Sequence, residues 1–599
     1  MTTKKILIFF CLLLTPSFSY SQNKVTLEQD LKVSEQLITA GRASDAIKML
    51  EKLSQAHPEN QQVFSLLSRA YSDAKSYAPL EILLKSWMEK NPEDWIVWIM
   101  LGDLYLKTGE KSSAEKSFEK ALLIAPDSAG SYQLIAATYL GNEEYEKAIR
   151  TYKSGIKKLG NKPLLLQGLI ELYEITGDYA LAVETYFAWA KEDSSKYREA
   201  ERKTMQLIES GIKTDELEKG LEKIARLEPK KSMGYKLHGD LLLKKGEPER
   251  AFQLYKTADL LSGSEGKHLL LFAQHCIKKG FYQLSLETSQ YLETYCQSIE
   301  CAIKAKFLTA SSLQGLKKYD QALNTFQQIA LDYPVREIQS QAYFQIGNLN
   351  LENLKYPDEA LTWYRKILPL KETTSYPLAL IKIGQVYLLK NQLDSALSFY
   401  QESLKDPLAQ PVVEELYFCL AEIYFYQGEL EKASETYQQI IKDYPRGMFI
   451  NNSLIRLNLI KNNLKMNRPF LKDFSKALLL LYQDDLTGTE KLLEKIVQAN
   501  IPDLSEAALM EKSNLLRLRK EFKASISEYK VLMERFPQSL YLPLALKSIG
   551  DIHLENLKEV QEAKNSYDLF LKKFPNSLYS QEVREKMKLL LTDNQVKKP

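Results

Sequence analysis

Two apolar stripes at helical spacing stand out between residues 95 and 125 of this 599-residue chain. The first stripe consists of Trp98, Leu101, Gly102 and Tyr105. The second stripe consists of Ala114, Phe118 and Ala121. Intervals of three and four residues place side chains on one face of an α-helix. The pattern predicts two helices joined by a turn at Gly109, with the second helix ending before Pro126.

The sizes of the side chains in the two stripes predict that the two helices pack closely. Gly102 and Ala114 are small where larger residues would hold the helix axes apart. Tyr105 and Phe118 supply bulk beside them. Helices in contact pack with their axes at ~8–10 Å, depending on the side chains between them. We therefore expect an antiparallel helix pair with small-against-aromatic contacts.

The same pattern returns at fixed intervals. Adding 34 to the stripe positions gives Tyr132, Ile135, Ala136, Tyr139, Ala148 and Tyr152. Adding 34 again gives Leu166, Leu169, Ile170, Tyr173, Ala182 and Tyr186. Further along, the small residues of successive first helices lie 37 apart, at Ala310, Gly347, Gly384 and Ala421. A fixed period of this length predicts a solenoid of stacked helix pairs.

Residues 95–128 resemble the tetratricopeptide repeat family at Trp98, Leu101, Gly102, Tyr105, Ala114, Phe118, Ala121 and Pro126. Related units, some of them degenerate, cover nearly all of the chain, in roughly 14 or 15 copies. The resemblance implies an all-α fold, a tetratricopeptide-type α-solenoid in which antiparallel helix pairs form a right-handed superhelix. In that family the first helices line a concave face that binds peptides, helices or folded proteins.

The change of period predicts the domain organisation. We expect a signal peptide at 1–21, an N-terminal array with the 34-residue period at 22–299, a central array with the 37-residue period at 300–446, a degenerate helical joint at 447–505, and C-terminal units with an end helix at 506–599. The repeat pattern is weak at 27–60, 197–231, 266–299 and 447–505. A polar end helix is expected at 579–592, because an array must cover the apolar face of its last unit.

The first 21 residues have the layout of a secretory signal peptide. Lys4 and its lysine neighbour precede an apolar run at 6–14, and small residues follow up to Ser21. This run is too short to span a bilayer, which requires ~20 residues. We expect cleavage after Ser21, and the alternative is an uncleaved anchor. Cys11 lies inside the run rather than after it, so the sequence does not predict lipid modification.

The charge balance excludes two classes of partner. Cleavage would remove two lysines and no acidic residue, which leaves 78 basic residues (80 − 2) against 77 acidic ones. This balance lacks the basic surplus of a nucleic-acid binder, and no polybasic block marks an anionic membrane surface. Residues 535–552 and 573–587 also resemble tetratricopeptide proteins of the Gram-negative envelope. The expected location is the periplasm or the periplasmic face of the outer membrane.

The sequence predicts no catalytic residues, no metal site and no cofactor. It contains no HExxH, GxSxG, Walker A or Rossmann pattern. His268 and His275 lie seven residues apart, two helical turns, which is too far for them to share one ion without another helix. Export implies an oxidising compartment, in which Cys296 and Cys301 can form a small disulfide loop. The alternative is two reduced, half-buried thiols.

The resemblance also indicates which side chains face the groove. The candidates are Asp103, Gln133, Gln167, Lys236, Asp240, Asn348, Gln385 and Glu422. Some family members hold a carboxylate with a Lys/Asn/Arg clamp at these positions, but Lys236 is followed one turn later by Asp240. The clamp is therefore not predicted. An amide-rich, partly aromatic groove suits an adaptable contact with a polypeptide.

We therefore predict a non-enzymatic scaffold that binds protein or peptide partners in the cell envelope, without nucleic acid, small-molecule substrate or a transmembrane span after cleavage. The alternative is a chaperone-like or accessory subunit of a secretion or surface-assembly machine. An enzyme would need a catalytic cluster within 447–505, where the sequence shows ordinary helix residues and no acid–base set.

Overall fold

The computed structural model describes the backbone of residues 15–125, 127–227 and 230–595, and side chains from Leu27 to Leu590 apart from Leu589. Within these residues the regular structure is helical throughout and no β-strand occurs, which confirms the all-α solenoid fold class. Most of the predicted signal peptide and the predicted stop at Pro126 lie outside the described residues.

The chain divides into two compact units, unit 1 ending at Phe272 and unit 2 starting at Ala273. The predicted domain limits at 299, 446 and 505 stay predictions. The helices of unit 1 are α1 (Thr15–Thr39), α2 (Ala43–Ala56), α3 (Gln61–Asp73), α4 (Tyr77–Lys90), α5 (Trp95–Lys107), α6 (Lys111–Ile124), α7 (Ala129–Gly141), α8 (Tyr145–Leu159), α9 (Pro163–Thr176), α10 (Tyr179–Glu192), α11 (Tyr197–Ser210), α12 (Thr214–Leu227), α13 (Ser232–Lys245) and α14 (Pro248–Ser262). The unit boundary falls within α15 (Lys267–Lys279).

Unit 2 continues the succession of helices. They are α16 (Tyr282–Tyr295), α17 (Ile299–Gly315), α18 (Tyr319–Asp332), α19 (Arg336–Asn348), α20 (Pro357–Arg365), α21 (Ser375–Leu389), α22 (Leu393–Ser403), α23 (Val413–Tyr426), α24 (Leu430–Asp443), α25 (Ile450–Asn463), α26 (Arg468–Tyr482), α27 (Leu486–Ala499), α28 (Pro502–Leu518), α29 (Phe522–Arg535), α30 (Leu542–Asp551), α31 (Val560–Lys573) and α32 (Ser580–Gln595).

The predicted helix pair at 95–125 forms α5 and α6. The small residues and Phe118 are buried, and Trp98 and Tyr105 pack partly buried against the core. Gly109 has a φ of +86° and makes the left-handed turn between the helices. Phe118 meets Tyr139 of the next pair edge to face, with ring centroids 4.7 Å apart. The ring of Phe118 therefore packs within its own pair and also joins that pair to the next.

The first-helix glycines are required by close approach of an aromatic ring. A Cβ atom added to Gly102 would overlap the ring of Phe118. In unit 2, a Cβ added to Gly384 would overlap the ring of Tyr400. Side chains in well-packed interiors leave few voids, so these rings have no free space into which to retreat. The small-against-aromatic pattern of the sequence is thus the packing contact within these pairs.

Two pairs of unit 2 absorb one extra residue inside the first helix. Gly347 and Ala360 lie 13 residues apart, whereas Gly384 and Ala396 lie 12 apart. In the longer pair, α19 continues into a π-helical turn at Leu349–Leu354. A second π-helical turn follows α30, at Ile552–Asn556. A π turn accommodates one residue more than an α turn, so the helices of these pairs keep their packing register.

Residues 447–505 contain three helices rather than one pair. α26 and α27 pack as a pair, and α26 contacts α23 as the first helices of successive pairs do. α25 is the additional helix, and it packs against α24 and contacts α28. This extra helix is the physical reason why the repeat pattern is over-long here.

α32 covers the last pair of unit 2. Its Val583 and Leu590 are buried in a cluster with Tyr567 and Phe570 of α31. Charged residues of α32 such as Glu582 and Arg584 are exposed. The helix therefore has one apolar face toward the array and one polar face toward water, as predicted for an end helix.

Candidate partner-binding groove

Three successive first helices of unit 1, α3, α5 and α7, and Leu80 of the second helix α4 line a groove of about 310 Å³. Its apolar lining consists of Leu80, Ile96, Ile99, Met100 and Leu134. Its polar lining consists of Ser65, Ser68, Arg69, Ser72, Asp73, Asp103 and Thr138. Apolar side chains mixed with a few hydrogen-bonding groups are typical of binding clefts. We call this surface the first-helix groove.

Ile96 and Leu134 make the groove wall accessible. Ile96 is 41% exposed and Leu134 is 40% exposed. Both lie on helices whose stripe residues, such as Leu101 and Ile135, are buried in the core. The exposed residues therefore do not serve the packing of their own pair. A partner that covered them would gain about 25 cal/mol for each Å² of apolar surface removed from water.

The charged side chains of the groove are balanced within the protein. Asp103 pairs with Lys107 at 2.9 Å and accepts a hydrogen bond from Asn142 Nδ2 at 2.8 Å. Lys107 Nζ also donates to Ser72 Oγ at 2.9 Å. Arg69 lies 3.9 Å from Asp73. The groove therefore presents no uncompensated charge, and a partner would be selected by shape and apolar contact.

The hydroxyl of Ser68 is the unsatisfied polar group of the groove. Ser68 is 1% exposed, and its Oγ has no hydrogen-bond partner among the described side chains and backbone groups. A buried hydroxyl without a partner costs free energy, and a serine hydroxyl can both donate and accept. Ser68 therefore places a buried, unsatisfied hydroxyl beneath the surface of the groove.

The structure places the sequence-predicted groove residues in different environments. Asp103 lines the groove, and Gln133 lies exposed beside Leu134. Gln167 is exposed on α9, the next first helix. Lys236 is half-buried, with Nζ 2.9 Å from Glu201 and 3.4 Å from Asp240. The Lys236 ammonium is therefore paired with two carboxylates of unit 1. The sequence likewise predicts no carboxylate clamp at this position.

In several pairs the predicted groove position instead accepts a hydrogen bond from a tyrosine of the second helix. The hydroxyl of Tyr364 donates to Asn348 Oδ1 at 2.7 Å. The same interaction joins Tyr255 to Asp240, Tyr437 to Glu422, Tyr529 to Asn514 and Tyr567 to Asp551. Asn348 and Asp240 thus satisfy tyrosine hydroxyls of their own pairs, and their role as groove contacts stays a prediction.

Glu422 is buried and does not line a groove. Its carboxylate accepts hydrogen bonds from Tyr437 and from Tyr426, the latter at 2.9 Å, and Arg456 Nε lies 3.0 Å away. Burial opposes ionisation of Glu422, but Arg456 and the two tyrosines outweigh it and lower the carboxyl pKa. The prediction that Glu422 faces a partner is therefore wrong. Gln385 is half-buried on α21, and its role as a groove contact stays a prediction.

Sequence reasoning missed Ile96, Met100 and Leu134. It followed two positions per first helix, the residue after the small stripe position and the residue one turn earlier, and these three residues lie at neither position. A signal was present, because Ile96 and Met100 are four apart and lie off the buried stripe of α5. Apolar residues on the polar side of a helix are a reason to expect an interaction surface.

The predicted cysteine pair lies at the junction of α16 and α17. The structure joins Cys296 and Cys301 in a disulfide, with Cα atoms 5.6 Å apart. This separation is within the range that a disulfide requires. Cys419 of α23 is half-buried, and burial raises the pKa of its thiol to about 12.

Two family models, both described as Tetratricopeptide repeat, match the chain. One matches residues 97–128, and the other matches residues 304–334, 416–446 and 548–577. The first match contains α5 and α6, whose geometry is given above. These stretches of the chain therefore contain tetratricopeptide repeats. Repeats of this kind imply a scaffold for protein–protein interaction.

Curated relatives match parts of this tetratricopeptide-repeat chain. A TPR repeat-containing protein of Methanocaldococcus jannaschii is 22% identical over 44% of this chain and 46% of its own length. Protein bimA of Emericella nidulans is 24% identical over 26% of this chain and 23% of its own length. Superkiller complex protein 3 of Mus musculus is 35% identical over 16% of this chain and 6% of its own length. The matches span less than half of each relative.

Solved structures match over longer stretches but with low similarity. The structure of Naa15/Naa10 bound to HypK-THB aligns with 94% of this chain and 99% of its own, at 13% identity and a TM-score of 0.26. The P58(IPK) TPR domain aligns with 66% of this chain and 98% of its own, at 17% identity and a TM-score of 0.18. Among the helices that the structure describes, none has the length and apolar content needed to cross a bilayer.

Proposed function

We propose that this protein is a non-enzymatic scaffold of the bacterial cell envelope that binds a polypeptide partner in the first-helix groove of unit 1. The observation that carries the proposal is the accessible apolar wall made by Ile96 and Leu134 across two neighbouring first helices. Several rigid helices hold this wall, so a partner meets a surface that needs little ordering.

The chemistry of the groove defines the partner. Its charges are paired internally, so the matching segment carries apolar side chains of the size of leucine or isoleucine rather than a charge cluster. Both an extended peptide and the apolar face of a helix meet this description.

The proposed envelope location is supported by the first 21 residues and by the likeness of 535–552 and 573–587 to envelope proteins. The expected cleavage after Ser21 lies within α1, whose described backbone spans Thr15–Thr39. Cell fractionation and intact-mass measurement test this part. We expect a chain that starts at Gln22 in the envelope fraction. A chain with residues 1–21 attached, recovered from the cytoplasm, would contradict it.

One observation favours the alternative, a chaperone-like or accessory subunit that holds clients transiently. In unit 2, Met448, Leu540 and Leu578 each lie three residues after a proline that follows a second helix, and they are 88%, 81% and 77% exposed. Apolar side chains repeated at one register offer several weak contacts along the array. A holding role would use many such contacts, whereas the scaffold needs one defined groove.

The test compares two double variants of the full chain. Ile96→Ser with Leu134→Ser alters the groove, and Ile82→Ser with Leu123→Ser is the matched control. The control residues lie on the second helices α4 and α6 and are 71% and 77% exposed. Partners are crosslinked in the envelope fraction, identified by mass spectrometry, purified and titrated against each variant.

We expect one stoichiometric partner whose affinity falls tenfold or more in the groove variant and is unchanged in the control, because about 1.4 kcal/mol of apolar contact corresponds to that factor. Equal affinity of both variants would contradict binding in the groove. Many clients crosslinked along both units, with no single complex, would support the holding function instead.

A further inference from the structure

α12 brings two carboxylates against a histidine of α13. Glu218 and Glu222 lie one turn apart on α12, and His238 lies on α13. One ligand atom of each residue lies within 4.8 Å of the ligand atoms of the other two. The sequence did not reveal this cluster, because its members come from two helices and the predicted absence of a metal site considered only His268 and His275.

His238 is a buried histidine whose Nε2 faces the carboxylate of Glu218 without a hydrogen bond to it. It is 5% exposed, and its Nε2 lies 3.5 Å from Glu218 Oε1. Within the part of the chain that the structure describes, Nε2 makes no hydrogen bond. A buried ring nitrogen in this state is costly unless something bonds to it. This is an observation independent of the acidic residues.

The carboxylates have unequal neighbours. Glu218 is held by Lys245 at 2.6 Å and by Arg250 at 2.7 Å. Glu222 has only the 82% exposed Arg226, at 3.8 Å, among the ion pairs of the described residues. The oxygens of Glu222 are therefore available, whereas Glu218 is fixed in orientation by two donors. Metal-binding carboxylates are commonly oriented in this way by outer hydrogen bonds.

We propose that Glu218, Glu222 and His238 form a binding site for a divalent transition-metal ion of the zinc class. Imidazole nitrogen and carboxylate oxygen bind Zn²⁺ at ~2.0–2.2 Å, so tetrahedral ligand atoms lie roughly 3.4 Å apart. The three ligand atoms lie within 4.8 Å of one another, so binding would require the side chains of the cluster to move closer together. A water molecule completes the fourth position.

The site lies where the repeat is degenerate. The sequence pattern is weak at 197–231, and α12 packs against α10 and α13 rather than as a regular partner of α11. An ion shared by α12 and α13 links these helices directly. Its expected role is structural, since binding to the folded state alone stabilises that state.

The experiment uses the full, untagged chain, treated with EDTA and then dialysed. ZnCl₂ is titrated by calorimetry, and CoCl₂ is titrated by visible absorption, which reports on the ligands directly. Glu222→Gln and His238→Ala are the test variants. His268→Ala is the matched control, since His268 is a half-buried histidine of α15 outside the cluster.

We expect one Zn²⁺ or Co²⁺ ion per chain, a rise in the unfolding temperature on binding, and at least tenfold weaker binding in both test variants but not in His268→Ala. Glu222→Gln keeps the size of a half-buried side chain, so it tests the ligand role even if His238→Ala fails to fold. Absence of saturable binding to the wild-type chain, or equal binding by Glu222→Gln, would overturn the proposal.

Discussion

At the residue scale, several helix pairs depend on a small residue that faces an aromatic ring. Gly102 against Phe118 and Gly384 against Tyr400 are two examples, one in each unit. The glycine is needed for the close approach, and the ring fills the space that the glycine leaves. Stability is therefore concentrated in a few contacts per pair.

Gly102→Ala is expected to destabilise its pair, because the added Cβ overlaps the ring of Phe118. Overpacking of a core costs about 1–3 kcal/mol. Hydrogen exchange followed by mass spectrometry should show faster exchange in α5 and α6. Gly130→Ala is the control, since Gly130 is helical and its added Cβ comes no closer than 3.8 Å to Ser128 Oγ. Equal exchange in both variants would contradict the close-packing argument.

The tyrosine hydroxyls that bond to first-helix acceptors make a second prediction. Tyr364→Phe leaves Asn348 Oδ1 without its donor, and a lost hydrogen bond costs about 1 kcal/mol. Exchange in α19 and α20 should rise about fivefold, as that free energy requires. Tyr356→Phe, at a 54% exposed side chain, should leave exchange unchanged. The opposite ranking of the two variants would show that the hydroxyl contributes nothing.

A pH effect is expected at Asp406. The hydrogen bonds from Lys371 and Tyr376, both at 2.7 Å, lower its pKa from 3.8 to about 2. A carboxyl group whose pKa is lower in the folded state stabilises the fold when the pH is above the pKa of the unfolded state. This contribution is lost as the pH falls from about 4 to about 2. Asp406→Asn should therefore lower the unfolding temperature at pH 6 and have little effect at pH 2. The exposed Asp443→Asn is the control, and a difference that persists at pH 2 would contradict the ion pair.

At the element scale, the junction between α16 and α17 carries a prediction about covalent chemistry. Peptide mapping without reduction should recover Cys296 and Cys301 in one disulfide-linked peptide. Cys419 should react slowly with iodoacetamide, because burial raises its thiol pKa to about 12 and the thiolate is the nucleophile. Rapid alkylation of both Cys296 and Cys301 in the unreduced protein would contradict the disulfide.

The helix pairs could be predicted from the sequence because their signal is local. Intervals of three and four residues locate the stripes, and Gly102 with Phe118 supplies the contact within a pair. The π turn at Leu349–Leu354 could not be predicted, because one extra residue fits equally well in a loop. The role of α25 could not be predicted either, since it depends on packing against α24 and α28.

The candidate site was predicted only in part. The positions that the resemblance to the tetratricopeptide repeat family assigns to the groove include Asp103, which does line it. They also include Asn348 and Glu422. Those two residues instead accept hydrogen bonds from tyrosines that lie 15 or 16 positions later in the chain. A tyrosine at that spacing from a polar residue is a sequence signal for an internal bond rather than a ligand contact.

At the scale of the whole molecule, the array is built from contacts between neighbouring pairs. A substitution therefore changes stability mainly in its own pair and in the adjacent pairs. Unit 1 and unit 2 each have their own buried clusters. Local coupling of this kind allows a partner to order a few first helices without reorganising the rest of its unit. Partner binding should therefore slow hydrogen exchange in only a few neighbouring helices.

The most direct test of the account is hydrogen exchange of the full chain with and without the purified partner. The account predicts protection of the first helices at 61–73, 95–107 and 129–141, with the second helices α4, α6 and α8 much less affected. Protection confined to the second helices, or to unit 2, would contradict a partner seated in the first-helix groove.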